Sequence, residues 1–284
     1  MLNLMYITNR PEIAKIAEKA GVNRIFVDME YIGKDERQAG LDTVKSHHTI
    51  DDIKRIRDAV SDSEVLVRVN PIHRATTQYS DSYDEIRSAI DAGAGVVMLP
   101  MYRTMGEVET FLHIVDGKAR TQLLTETPDA CSIMNQVVAI PEVDEIHIGL
   151  NDLHLAYHKS FMFELLADGT VDTLCNQLRG SGKRFGFGGI ARIGYGMLPA
   201  EYVIKEHYRL GSTCAILSRA FCNVAKLSDL TEIDNLFKIE MARIRETEHI
   251  AISMSEEELD QNHIFVQQLV DSIVKAMRGA NYGT

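Results

Sequence analysis

Four acidic side chains and one arginine stand where chemistry could be done. Asp28 and Glu30 close the apolar run Arg24–Met29, and Glu126 closes Gln122–Thr125. Asp152 follows Glu145–Leu150, and Arg68 sits inside Val-Leu-Val-Arg-Val-Asn at 65–70. An ionised carboxylate in or beside an apolar run needs a cation, because a buried charge without a partner is costly. Glu126 and Asp152 offer two hard oxygen donors, which with water and substrate oxygens suit Mg²⁺ or Mn²⁺. Arg68 would be odd on a surface. Either it pairs a carboxylate to hold the fold, or it faces a cleft and binds an anion. His47 and His48 adjoin the start of a helical pattern at Thr49 and could move protons or simply be solvated.

The elements that must position these residues alternate along the chain. Apolar runs at Leu2–Thr8, Arg24–Met29, Val65–Asn70, Gly95–Met101, Gln122–Glu126, Glu145–Leu150, Arg184–Ile190 and Thr213–Leu217 read as strands buried on both faces, as parallel strands do. Amphipathic stretches lie between them. Pro11–Ala20 has Asn9 as its expected cap, and Thr-Ile-Asp-Asp at 49–52 opens the next as a capping-box variant with Asp in place of Glu. Ser82–Ala92, Gly106–Val115, Asp129–Ala139, Val171–Leu178 and Pro199–Leu210 follow. Eight strands each trailed by a helix predict an α/β (β/α)₈ TIM barrel over residues 1–222. A doubly wound sheet would want a glycine-rich turn after its first strand, and Thr8-Asn9-Arg10-Pro11 is not one. Residues 223–284 form a helix-prone extension. Its apolar positions Ile264, Phe265, Leu269, Ile273, Val274 and Met277 recur at helical spacing and require cover, expected from a neighbouring subunit in a homo-oligomer. In a barrel the five chemical residues would all gather at the C-terminal ends of the strands.

Composition narrows the class. The 284 residues carry 30 Lys and Arg against 41 Asp and Glu, a formal net charge of −11. Phosphate contacts need a basic excess, so this balance argues against a general nucleic-acid partner. The four cysteines Cys131, Cys175, Cys214 and Cys222 form no CxxC pair, which reads as reduced thiols in a cytoplasmic protein. No window approaches 18 apolar residues, and the N-terminus lacks a signal-peptide pattern, so no membrane partner is expected.

The segments Val27-Asp28-Met29-Glu30, Leu66–Asn70, Gly93–Met101, Thr125-Glu126-Thr127 and Ile148–Leu153 occur in a characteristic order. In these the chain resembles the HpcH/HpaI aldolase and citrate lyase beta-subunit family of the phosphoenolpyruvate/pyruvate barrel superfamily, over roughly residues 20–222. The resemblance implies a divalent-metal-dependent carbon–carbon lyase or aldolase that joins or splits a 2-oxo acid, such as pyruvate, and an aldehyde. It implies Glu126 and Asp152 as metal ligands and Arg68 as the group on the keto or enolate oxygen. It places the substrate carboxylate on backbone amides of Gly149, Leu150, Asn151 and Asp152, and makes Asp28 and Glu30 part of the catalytic machinery. It also implies helix exchange between paired barrels, within dimer-based assemblies up to a hexamer. Three positions depart from the aldolase pattern. Tyr31 follows Glu30 where histidine is usual, Leu124 stands two residues before Glu126 where glutamine is usual, and Gly149-Leu150-Asn151-Asp152 replaces Gly-Pro-x-Asp. A replacement base could come from Ser46-His47-His48-Thr49. The alternatives are a CoA-thioester lyase of the citrate or malyl type, since Asp28-Met29-Glu30 followed by Lys34-Asp35-Glu36-Arg37 leans towards the citrate-lyase-like branch, and a barrel that binds a small acid without turnover. No lysine lies inside an expected strand, so a Schiff-base route is not indicated (Lys45 and Lys183 fall in loops).

Overall fold

The computed structural model describes residues 1–34, 47–224, 227 and 229–281. Eight parallel strands close on themselves in sequence order, β8 pairing back to β1. They are β1 (Asn3–Ile7), β2 (Arg24–Asp28), β3 (Glu64–Arg68), β4 (Val96–Leu99), β5 (Arg120–Thr125), β6 (Glu145–Ile148), β7 (Arg184–Ile190) and β8 (Cys214–Leu217). All eight expected strands are present. Helices cover the barrel: α1 (Pro11–Lys19), α2 (Ile50–Ala59), α3 (Ser82–Asp91), α4 (Met105–Val115), α5 (Pro128–Ser132), α6 (Met134–Val138), α7 (Leu150–Ala156), α8 (Glu164–Ala167), α9 (Thr170–Leu178) and α10 (Ala200–Leu210).

Strand side chains alternate between two cores. Ile25, Val27, Val65, Val67, Val97 and Leu99 face outward beneath the helices. Phe26, Leu66, Val96, Met98, Leu124 and Cys214 fill the middle of the barrel interior. Two residues along from this apolar layer, in either direction, the interior turns charged. On the side where the strands begin, Arg24 is fully buried and bonds Glu145 at 2.5 and 2.6 Å and Glu64 at 2.8 Å. On the side where they end stand Asp28 and Arg68. The apolar middle layer thus separates an ionic plug at the base from a charged mouth.

Local chemistry explains most helix starts. Thr49 and Asp52 make the expected capping box for α2, and Thr104 and Glu107 make a second one for α4. Asn9 is not the cap of α1: Arg10 occupies that position, without a side-chain cap. The stretch expected as one helix over 129–139 breaks at Ile133 into α5 and α6. Two short helices, α7 and α8, are not among the helical stretches read from the sequence, being too brief to establish a period.

Beyond the barrel run α11 (Leu230–Ser253) and α12 (Glu256–Asn281). A two-residue turn folds α12 back, and within the single chain it packs on α10 and α8 of the same barrel. This gives the helix cover within its own chain, beside the contact between copies that the sequence leads one to expect. The buried face of α12 is Asn262, Val266, Val270 and Val274, so of the expected stripe only Val274 is fully covered while Ile264 and Phe265 remain exposed. Asn262 and His263 bond the buried Glu206 of α10 at 2.8 and 2.9 Å, which fixes this rotation of the helix. Among the described residues no helix is long and apolar enough to cross a membrane.

Candidate active site

The mouth is organised from the register of β2 and β3, which sets Asp28 directly beside Arg68. The Arg68 guanidinium lies over the Phe26 ring, 5.6 Å from its centre, and is lifted to the level of the strand ends. Its Nε and one terminal nitrogen donate to the two oxygens of Asp28 at 2.8 and 2.9 Å, and the other terminal nitrogen lies 3.2 Å from Glu30. Asp28 thus grips one edge of the planar guanidinium through two parallel N–H donors, and Glu30 pairs with its remaining nitrogen. Asp28 and Glu30 are buried, while the Arg68 side chain keeps 13% of its surface exposed. Lys34, also buried, reaches back to Asp28 at 2.6 Å. Burial would push the Asp28 carboxyl up, but Arg68 and Lys34 outweigh it and hold the group well below the usual carboxylate range. Burial would likewise lower Arg68, yet Asp28 and Glu30 hold it well above its usual range, with Glu126 near enough to add to the effect.

Of the two histidines only His48 reaches this cluster. Its Nδ1 accepts the backbone N–H of Asp28 at 2.9 Å. An accepting Nδ1 carries no proton, so the neutral ring must carry it on Nε2. Burial holds its pKa below the ordinary histidine value. His47 is exposed and stacks on the Tyr31 ring, 5.6 Å between centres and 15° between planes. Tyr31 itself donates its hydroxyl to the His48 carbonyl and stacks on Tyr79 at 6.2 Å. The Asn70 side chain accepts the N–H groups of Tyr31 and Ile32 at 2.8 and 2.9 Å, and Glu85 fixes Asn70 in turn. The residue at the usual histidine position is therefore a strut between loops. Ser46 lies outside the described residues.

Glu126 follows β5 and is 3% exposed. Its Oε1 accepts the Met101 N–H at 3.1 Å, and Met101 adopts a left-handed φ of 54° to present that group. Gly149 lies against the other side of the carboxylate. A Cβ there would come within 2.8 Å of both Cβ and Oε2 of Glu126, so the glycine makes the room that Glu126 occupies. Asp152 is the third residue of α7, half-buried, in the turn where the amides of Leu150, Asn151 and Asp152 lack intrahelical acceptors. Glu126 and Asp152 each make polar contacts. Among the described residues no three His, Cys, Asp or Glu side chains converge as a metal cage. Two carboxylates at neighbouring strand ends fit a hard ion that draws its other ligands from water and substrate, and do not fit zinc. Lys34 and Met101 escaped the reading of the sequence, and Gly149 was expected to offer its amide to the substrate rather than to make room for Glu126. Lys34 stands in a polar stretch that resembles any solvated loop, and nothing local signals its burial.

Compared by sequence, the chain matches no protein-family model and no curated protein. Compared by structure, it is similar to an HpcH/HpaI aldolase/citrate lyase family protein from Burkholderia cenocepacia J2315, at 15% identity over 82% of this chain and 94% of that one, with a TM-score of 0.58. An HpcH/HpaI aldolase from Desulfitobacterium hafniense DCB-2 matches at 15% identity over 76% and 86% of the two chains, TM-score 0.53. A citrate lyase from Burkholderia xenovorans LB400 matches at 13% identity over 96% and 92%, TM-score 0.55. The chain has the fold of the HpcH/HpaI aldolase and citrate lyase structures, the same family that its motif series resembles.

Proposed function

We propose that this protein is a divalent-metal-dependent carbon–carbon lyase or aldolase acting on a 2-oxo acid and an aldehyde. The observation that carries this reading is the Arg68 guanidinium, aligned by Asp28 at the barrel mouth with Glu126 within its field. A ligand oxygen that gains negative charge during bond making or breaking would be stabilised by that guanidinium. Glu126 and Asp152 would hold Mg²⁺ or Mn²⁺, which when bound supplies Lewis-acid stabilisation of that charge. The first-turn amides at Leu150, Asn151 and Asp152 would bind the substrate carboxylate.

Asp28, held ionised by two cations, is a poor proton acceptor and serves to orient Arg68. Glu30 shares the guanidinium and limits its rotation. His48, with Nδ1 occupied, serves as a hydrogen-bond donor through Nε2. His47, exposed at the rim, is the imidazole of the pair left to move a proton. The protein acts in the cytoplasm as a homo-oligomer. Pyruvate presented with a panel of aldehydes, with and without EDTA, tests the reaction. A malyl- or citramalyl-type thioester in the same panel tests the CoA lyase alternative. Absence of any EDTA-sensitive turnover would refute the proposal.

A further inference from the structure

Lys34 is buried beside the mouth, although lysine is almost never buried without a partner. Its partner is already served. Asp28 accepts Arg68 Nε and the Glu30 N–H at one oxygen, 2.8 and 3.3 Å away, and Arg68 and Lys34 at the other, 2.9 and 2.6 Å away. With four donors the carboxylate is saturated and has one orientation left.

We propose that Lys34 is a positioning residue for the active site: it locks the Asp28 carboxylate and thereby fixes the orientation of the Arg68 guanidinium that Asp28 grips at the mouth. The kinetic part of this assignment rests on the proposed lyase reaction. A lysine that merely filled space would lower stability when replaced and leave the folded protein's kinetics untouched. A positioning lysine predicts more. In Lys34→Met, kcat should fall about 100-fold, the scale of an ångström-sized misplacement, with a much smaller change in KM. Lys34→Arg, which keeps the charge, should recover part of the loss.

The groups facing Asp28 are Arg68, Lys34, Glu30 and His48. Losing one of its two cations raises the pKa of Asp28, so the acid limb of the kcat/KM profile should move to higher pH. A readout independent of turnover is the Arg68 Nε–H resonance in ¹⁵N–¹H spectra. It should be sharp and protected from exchange in the wild-type protein and lost in Lys34→Met. Lys34→Gln serves if the methionine variant does not fold. Wild-type kcat with an unmoved acid limb, or a retained Nε–H resonance in a folded variant, overturns the proposal. If the wild-type protein turns over no 2-oxo acid, the reaction assigned above fails, and the Nε–H resonance alone still decides the role of Lys34.

Discussion

Gly149→Ala isolates one steric relation on which the site depends. Gly149 has φ −84° and ψ 87°, between the extended region and the inverse γ-turn and on the negative-φ side that alanine adopts, so the substitution needs no left-handed backbone. Its cost is the added methyl. That carbon would sit 2.8 Å from Glu126 Cβ, 2.8 Å from Glu126 Oε2 and 3.2 Å from a Leu124 methyl. Ordinary carbon contacts begin near 3.5 Å, so Glu126 must retreat by roughly 0.7 Å, with Leu124 closing the lateral escape. Overpacking of this kind costs about 1–3 kcal/mol, which lowers Tm by a few degrees in a chain of this size. The effect on the site is larger in proportion. A carboxylate displaced by most of an ångström should reduce Mn²⁺ affinity at least about tenfold and kcat/KM about 100-fold. Calorimetric titration with Mn²⁺, steady-state kinetics and a thermal melt give the three quantities on one preparation. Normal Mn²⁺ affinity and turnover in a folded Gly149→Ala protein would refute the view that Gly149 exists to seat Glu126.

Arg68→Lys keeps a positive charge but loses the planar fork that spans Asp28 and Glu30. It should lower kcat/KM by about two to three orders of magnitude, and near-normal turnover would make the arginine structural. Glu126→Gln and Asp152→Asn should each abolish EDTA-sensitive activity while the circular dichroism spectrum stays that of the wild type. A structure soaked in Mg²⁺ or Mn²⁺ with no ion between the two side chains would remove them as ligands. The exposed apolar side chains of α11 and α12, Ile239, Ile250, Ile252, Ile264 and Phe265, suit a contact between copies. Light scattering at micromolar concentration should therefore report a multiple of the 31.8 kDa chain mass, and a mass near that of one chain would refute the oligomer.

The barrel was readable from the chain because its cause is local. A strand buried on both faces is apolar along its whole length, and eight such runs separated by helical periods admit few other topologies. Asp28, Arg68 and Glu126 were readable for the complementary reason, since a charge at the end of an apolar run has to be used. What the runs concealed is their inner alternation. Arg24, Phe26 and Asp28 share the interior face, as do Glu64, Leu66 and Arg68, and only closure of the barrel gives those residues opposite or matching neighbours. The pairing of Arg68 with Asp28 follows from register, a property of two strands some forty residues apart. Lys34 acquires its role from Asp28 through space, and its polar neighbours in sequence carry no trace of that. His48 differs from His47 by one residue and by everything that surrounds it: one ring accepts an amide within the cluster, the other stacks on Tyr31 at the surface. The rotation of α12 was settled by Glu206 on a helix more than fifty residues earlier, which selects Asn262 and His263 over the more apolar Ile264 and Phe265. Sequence determines the period and polarity of each element, because these depend on neighbours along the chain. Tertiary structure decides which polar groups meet, because hydrogen bonds and charges are satisfied by whatever the fold brings within about 3 Å.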